Sequence, residues 1–225
     1  LIAVLTLPTY FAGSSAITIL RRHFLPLQFG VGVRGGAELM LAAIRAHLEL
    51  NPDHLLISTD AASAFQAWDR GRLWEEVDAH LPSLSEPFRF RYGASADVLF
   101  AEASSDRVEV MKSTVGSGQG CCFGSCTFCL ALHPILEQLN EEYGDDCLIV
   151  GYCDGVYVIG PAAVAAEAYA RWRALYASFL QGQLRDDKGC AFSSSLSEEA
   201  VRAAGLPEPL ELGSQGRRRP LVWPP

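Results

Sequence analysis

The sequence predicts an α+β domain, and three observations support that class. Helical and strand patterns follow one another as helix, strand, helix, strands, helix, hairpin, helix, an order typical of α+β folds. Of the 225 residues, 49% are hydrophobic and 20% are charged, which is enough apolar content for a hydrophobic core. Two apolar runs end at an aspartate, Asp60 and Asp154, and a carboxylate at the tip of a buried strand is costly without a partner.

The first half of the chain combines helices with one strong strand. A glycine-rich loop occupies 28–36, and apolar residues at helical spacing then predict a helix over 37–50. The sequence Asn51-Pro52-Asp53 ends that helix. An apolar strand over 54–60 and a helical stretch over 61–80 follow. The first 25 residues are apolar but weakly patterned.

The second half contains strands, two helices and a hairpin. Alternation of apolar and polar residues predicts strands over 88–100 and 108–115. Proline, glycine and arginine are frequent after residue 207, so we expect a poorly packed tail. The other predicted elements are a loop at 116–120, a helix over 121–143, a hairpin over 148–159 and a helix over 162–180.

Charge and composition limit the function classes. The formal net charge is −8, which argues against a nucleic-acid surface spread over the whole chain and leaves a localised basic groove open. No apolar stretch reaches the ~18 residues of a membrane span, so we expect no membrane partner. Residues 1–10 lack the basic segment of a signal peptide. Seven cysteines, an odd number, favour reduced thiols and an intracellular location, nuclear or cytoplasmic.

Four of the cysteines lie close together, at positions 121, 122, 126 and 129. Their spacing could suggest zinc, but structural zinc usually needs a second ligand pair, and none is evident. We therefore expect buried free thiols. His133, farther along the same helical stretch, is expected to serve packing.

The two aspartates suggest a metal site. If their strands lie side by side, both carboxylates come within reach of one divalent cation, as in polymerases and nucleases. The simpler alternative for Asp60 is that it caps the helix that follows. A second acid would be expected beside Asp154, where the chain has Gly155.

Three sequence blocks now point to one family. Asp60-Ala61-Ala62-Ser63-Ala64-Phe65 fits Asp-x-x-x-Ala-Phe, Gly116-Ser117-Gly118-Gln119-Gly120 fits Gly-x-x-Gln-Gly, and Tyr152-Cys153-Asp154-Gly155 fits Tyr-x-Asp-Asp without its last acid. In this order they resemble the palm of a reverse transcriptase, an RNA-directed DNA polymerase, most like the non-LTR retrotransposon type. Gln28-Phe29-Gly30 resembles the fingers segment, and 184–192 resembles the loop after the catalytic hairpin. The resemblance covers about 25–213.

The resemblance implies a fold and a domain plan. The fold would be a right-hand polymerase palm with partial fingers, in which an antiparallel sheet carries helices packed on one face. The fingers part would span about 1–53, the palm about 54–206 and the irregular tail about 207–225. Thumb, RNase H and endonuclease regions do not fit in this length, so we expect a fragment or a degraded copy of a larger element protein.

The resemblance also assigns roles to residues. Asp60 and Asp154 would bind Mg²⁺ or Mn²⁺, and two metals about 3.5–4 Å apart would serve the transfer of a nucleotide to a primer. Lys188 would donate a proton to the departing pyrophosphate, unless it is a plain surface lysine. Partners would be an RNA template, a DNA primer and deoxynucleoside triphosphates. Residues expected at the nucleotide are Ala61, Ala62, Ser63, Ala64, Phe65, Gln119, Gly120 and Tyr152.

The resemblance gives these residues different contacts with the nucleotide and the template. Backbone N–H groups of 61–64 would face the triphosphate. Phe65 would lie under the sugar and disfavour a 2′-hydroxyl; its alternative is an ordinary core residue. Gln119 and Gly120 would contact the template base and the nucleotide. Arg34 is a candidate triphosphate ligand from the fingers.

Several positions depart from the family pattern. Gly118 and Cys126 replace a larger residue and a proline, and Gln66 stands where an asparagine is common. Gly155 removes a carboxylate beside the metals, which would cost on the order of 10²-fold in rate. We therefore predict weak or absent polymerase activity. Two alternatives stay open: a non-catalytic palm-like remnant that binds nucleic acid or protein, and a nucleotidyltransferase acting on small nucleotides.

Overall fold

The computed structural model describes residues 13–101, 108–118, 121, 123–207 and 211–213. Within these ranges the chain forms helices and a mixed sheet, so the predicted α+β class is confirmed. The helices are α1 (Gly13–Phe24), α2 (Gly36–Leu50), α3 (Ala64–Ala67), α4 (Gly71–His80), α5 (Ser85–Tyr92), α6 (Gly124–Tyr143), α7 (Ala162–Leu180) and α8 (Glu198–Ala203).

The main sheet has five strands in the order β4-β5-β1-β6-β7. Its pairs are antiparallel except β6 with β7, which run parallel. A separate two-stranded ribbon joins β2 and β3. The strands are β1 (Leu55–Thr59), β2 (Ala96–Ala101), β3 (Val108–Ser113), β4 (Leu148–Tyr152), β5 (Gly155–Gly160), β6 (Cys190–Phe192) and β7 (Glu211–Gly213).

Alternation along the central strand β1 divides its side chains between two hydrophobic clusters. Leu55 and Ile57 enter the larger cluster, to which α4, α6 and α7 contribute. Leu56 enters a smaller cluster with Met40 and Ile44 of α2. Because successive side chains of a strand point to opposite faces, α2 covers the face opposite to the one on which most of the helices pack. β1 is therefore buried on both faces, and its Leu-Leu-Ile sequence is apolar at each position.

Aromatic side chains fill the larger cluster. Trp172 of α7 and Phe128 of α6 are 1% and 0% exposed, and full burial of one such side chain contributes roughly 1.5–3 kcal/mol or more. His133, also on α6, is 1% exposed, in accord with its expected place in the packing. These contacts hold α6 and α7 against the sheet and so fix the strand ends that carry the aspartates.

The prediction of a strand over 88–100 is wrong in its first part. Residues Ser85–Tyr92 form helix α5, and only Ala96–Ala101 are extended. Phe88 and Tyr92 are both buried and lie four residues apart, on one helix face. The same residues alternate with Arg89 and Arg91, so the sequence fits both periodicities and long-range packing decides between them.

Three other boundaries differ from the predictions. The stretch over 61–80 divides into α3 and α4 around Trp68, which is extended. The long helix begins at Gly124 and not at residue 121. The weakly patterned N-terminal region contains α1. Helix ends of this kind depend on local hydrogen bonds that hydrophobic periodicity does not report.

The ribbon of β2 and β3 carries apolar side chains that are open to solvent. Leu99 is 68% exposed and Val110 is 58% exposed. The ribbon therefore takes no part in the core that supports the aspartates. None of the helices in the described part of the chain has the length and apolar character needed to cross a membrane.

Candidate active site

A tight hairpin carries Asp154. Strands β4 and β5 pair from Leu148 with Ile159 to Tyr152 with Gly155, so Cys153 and Asp154 form the turn. Cys153 has φ of 54°, a left-handed conformation that is uncommon for a residue with a Cβ. The turn thus needs support from its surroundings, and it holds Asp154 half-buried at the end of the sheet.

The register of the sheet brings Asp60 to the same place. β1 and β5 pair antiparallel up to Thr59 with Val156. The next residues beyond this pair on the two strands are Asp60 and Gly155. The backbone N–H of Arg185 donates to the carbonyl of Asp60 at 2.8 Å. The Asp60 side chain is 37% exposed. Two carboxylates that are 94 positions apart in sequence therefore lie at one edge of the sheet.

Burial and the charge of Asp60 both act on the carboxyl group of Asp154. Burial raises the pKa of Asp154, and the negative charge of Asp60 raises it further. The pKa of Tyr176, on α7, is also raised, first by burial and then by the charges of Asp154 and Asp60. A half-buried pair of acids beside a buried phenol is a site that favours the binding of positive charge.

The side chain of Lys188 lies beside Asp60, and its predicted role stays a prediction. Its Nζ is 3.7 Å from Oδ2 of Asp60, and its backbone N–H donates to the carbonyl of Arg185 at 3.0 Å. The Lys188 side chain is 58% exposed, so this ion pair is weak and screened by solvent. The ammonium is free to leave Asp60 without unfolding the loop.

Residues 61–64, which follow Asp60, already make several contacts within the protein. Ala61 and Ala64 are buried, at 7% and 4% exposure. The N–H of Ala62 donates to the carbonyl of Gln183 at 2.9 Å and is thus paired within the protein. Ser63 is exposed and has φ of 50°. Contact of these backbone groups with a triphosphate stays a prediction.

Phe65 and the glycine loop pack together. The Phe65 ring lies 5.1 Å from that of Phe128 and remains half-buried, so it supports the core while part of it stays accessible. The Ser117 hydroxyl donates to the Phe65 carbonyl at 3.0 Å. Buried Arg70 donates from Nε to the Gly116 carbonyl at 2.7 Å, which fixes the start of the loop.

Other predicted residues are placed as follows. Gln119 and Gly120 lie outside the described residues, as does Cys122, so their contacts stay predictions. Tyr152 packs against the smaller hydrophobic cluster, on the α2 face of the sheet. Arg34 is exposed in the loop before α2.

Gln28 and Gly30 position the hairpin, and sequence reasoning gave them no such role. Gln28 is 0% exposed; its Nε2 donates to the Cys153 carbonyl at 3.0 Å, and its Oε1 accepts from the Cys153 N–H at 2.8 Å. The Gly30 N–H also donates to that Oε1, at 3.0 Å. A Cβ at Gly30 would lie 2.5 Å from the Cys153 nitrogen, so only glycine fits there. The amide side chain of Gln28 thus forms hydrogen bonds with both the N–H and the carbonyl of Cys153, the turn residue before Asp154.

Comparison with known proteins identifies the fold of the chain. No protein-family model and no curated protein sequence matches the chain. Among solved structures, apo telomerase from Candida tropicalis truncated from its C-terminal domain superposes with a TM-score of 0.60 at 11% identity, covering 82% of this chain and 40% of that one. Telomerase from Candida albicans, in complex with a fragment of telomeric RNA, gives 0.56 at 10% identity, with 83% and 36% covered.

The chain has a palm-type polymerase fold. The superposition covers 82% of this chain, and its largely antiparallel sheet with helices packed on it confirms the predicted fold class, with α2 packed on the opposite face. The palm-type domain described here spans 40% or less of the length of either telomerase chain. At these identities the likeness concerns the fold alone.

Replacement of Gln28 should loosen the palm hairpin. Gln28→Ala leaves the half-buried N–H and carbonyl of Cys153 without the amide partner, which costs about 1–3 kcal/mol. We expect urea unfolding to show this loss and amide exchange at Cys153 to accelerate. Gln138→Ala, at a half-buried helix position whose amide makes one solvent-exposed bond to Glu142, should change stability by less than about 0.5 kcal/mol. Equal effects of the two substitutions would contradict the role assigned to Gln28.

The raised pKa of Asp154 predicts how stability changes with pH. A carboxyl whose pKa is higher in the folded state stabilises the fold while protonated, and that contribution is lost as pH rises through the raised pKa. Asp154→Asn cannot ionise, so at pH 7 and without divalent metal it should unfold at a higher temperature than the wild type. The difference should shrink on acidification, and Asp53→Asn, at an exposed position, should show no such difference. A less stable Asp154→Asn protein at pH 7 would contradict the account.

Proposed function

We propose that the chain is a reverse-transcriptase-type palm that catalyses template-directed addition of deoxynucleotides to a primer, with activity weakened by Gly155. One observation carries the proposal: the pairing of β1 with β5 brings Asp60 beside the turn that holds Asp154. The palm-type fold supports it, because polymerases with this fold keep their acids at the same edge of the sheet.

The donor set fits a hard divalent cation. Asp60 and Asp154 would hold Mg²⁺ or Mn²⁺, since carboxylate oxygens are preferred ligands of both. Burial, and after it the charge of Asp60, raises the pKa of Asp154, and a bound cation would favour the ionised carboxylate against both effects. When bound, the metal supplies charge neutralisation for the attacking 3′-hydroxyl and for the leaving pyrophosphate.

The remaining residues would position reactants and move a proton. Lys188, now 3.7 Å from Asp60, would turn to the pyrophosphate when a cation replaces it, and its ammonium would donate a proton to the leaving oxygen. The accessible side of the Phe65 ring would lie against the sugar. The loop anchored by Arg70 would present Gln119 and Gly120 to the template base and nucleotide.

The RNA template is part of the proposal by analogy. The Candida albicans telomerase structure contains a telomeric RNA fragment, and that protein shares this fold with the chain. A DNA primer and deoxynucleoside triphosphates are the partners that the family motifs imply. The non-LTR origin, and membership in a longer element protein, rest on those motifs.

A second function is favoured by one observation, Gly155. Without the last acid of the Tyr-x-Asp-Asp motif, the palm would serve as a non-catalytic module that binds nucleic acid or protein. A nucleotidyltransferase for small nucleotides is the third candidate, and it would need no template. Primer extension separates the three.

Gly155→Asp should restore the missing charge. A Cβ at 155 would lie 3.5 Å from the Tyr152 carbonyl oxygen and 3.9 Å from Cε2 of Tyr157, which are ordinary contacts, so the turn accepts the side chain. On a primed RNA template with Mg²⁺, we expect slow extension by the wild type and on the order of 10²-fold faster extension by Gly155→Asp. Gly155→Ala tests the backbone change alone and should match the wild type.

The double variant Gly155→Asp with Asp60→Asn completes the design. It should lose the restored activity, because Asp60 would still be required to bind metal. Robust synthesis by the wild type would contradict the weakening attributed to Gly155. No extension by either the wild type or Gly155→Asp would exclude the polymerase proposal and favour the non-catalytic palm, and transfer without primer and template would favour the small-nucleotide enzyme.

A further inference from the structure

A second group of metal-ligating side chains lies away from the aspartates. His23 stands near the end of α1, and Glu76 and His80 stand one turn apart on α4. The ligand atoms of the three residues all lie within 4.8 Å of one another. Positions i and i+4 share a helix face, so α4 presents Glu76 and His80 together toward His23. The group has no part in the proposed polymerase chemistry.

The spacing of the atoms suits a tetrahedral ion. Nε2 of His23 is 3.4 Å from Oε2 of Glu76, and Nε2 of His80 is 3.7 Å from the same oxygen. Zinc binds imidazole nitrogen and carboxylate oxygen at 2.0–2.2 Å in a tetrahedron, whose ligands are then about 3.3 Å apart. The observed spacings are close to those edges, so a small contraction would complete the coordination.

Buried polar atoms at the group lack partners. Nε2 of His23 and Oε2 of Glu76 are shielded from solvent, and neither has a hydrogen-bond partner in the described part of the chain. Nδ1 of His133, whose ring centroid is 4.5 Å from that of His23, shares this property. Buried polar groups are nearly always satisfied in native proteins. The unsatisfied ligand atoms of His23 and Glu76 therefore indicate that these side chains can take up an ion between them.

We propose that His23, Glu76 and His80 bind a Zn²⁺ ion that fastens α1 to α4. Two imidazoles and one carboxylate are a donor set that favours zinc over the oxygen-seeking Mg²⁺. The His80 side chain is 48% exposed, so the fourth position opens to solvent and takes a water molecule. Over residues 17–24, the part of α1 whose side chains are described, the other buried side chains are Leu20 and Phe24. The metal would thus anchor the first described helix to the palm.

A zinc titration tests the site independently of polymerase activity. We expect the reduced wild-type chain to bind one Zn²⁺ in a competition assay with a chromogenic chelator, and to unfold at a higher temperature when zinc is present. His80→Ala removes a half-exposed ligand and leaves the core intact, so the variant should stay folded by circular dichroism. Its zinc affinity should fall about tenfold or more, and its thermal gain from zinc should largely disappear.

The matched control is His54→Ala. It disrupts a histidine pair that shares no residue with the proposed site, in which Nδ1 of His54 lies 3.0 Å from Nε2 of His47, and the variant should bind zinc like the wild type. Glu76→Gln supplies a second variant, because it keeps the shape of the side chain and weakens the ligand.

X-ray absorption identifies the ligands, since the chain also has cysteines. The bound zinc should show nitrogen and oxygen at 2.0–2.1 Å and no sulfur at 2.3 Å. A sulfur shell would assign the ion to cysteine and overturn the proposal. It would also be overturned if micromolar zinc did not bind, or if His80→Ala and His54→Ala bound it equally.

Discussion

The candidate active site with Asp60 and Asp154 depends on the antiparallel pairing of β1 with β5. That register places Asp60 next to the residue after Asp154, and no contact local in sequence could do so. The pairing is secured by burial on both faces, with α2 on one side and α6 and α7 on the other. Because a shift of one residue would exchange the two faces of β1, the hydrophobic pattern fixes the position of the carboxylates as well as the core.

The turn at Asp154 needs further support, and a buried amide supplies it. Gln28 forms hydrogen bonds with the backbone N–H and carbonyl of Cys153. Gly30 has no side chain and therefore allows its segment to approach the hairpin closely. The segment before α2 therefore belongs functionally to the palm hairpin 125 positions away in sequence. Strained backbone conformations such as that of Cys153 are common at functional sites. The raised pKa of Asp154 has a separate cause, first its burial and then the charge of Asp60.

Much of the fold and of the candidate active site was predictable from the sequence. The predictions that failed did so for physical reasons. Apolar runs identified β1 and the hairpin, and the motif order identified the palm. The helix Ser85–Tyr92 was missed because its aromatic and arginine residues fit two periodicities. The roles of Gln28 and Arg70 could not be predicted, since a lone polar residue carries no signal of a partner far along the chain. The grouping of His23 with His80 likewise exists only after α1 packs on α4.

The central claim is that Asp60 and Asp154 share one cation site, and that Gly155 removes the third acid, the last one of the Tyr-x-Asp-Asp motif. Without metal, Lys188 partly balances the charge of Asp60, and burial keeps the pKa of Asp154 high. The most direct test is anomalous diffraction from crystals soaked in Mn²⁺ near neutral pH. The account predicts a peak bound by both carboxylates, with Lys188 displaced from Asp60. A peak elsewhere only, or carboxylates too far apart to share an ion, would contradict it.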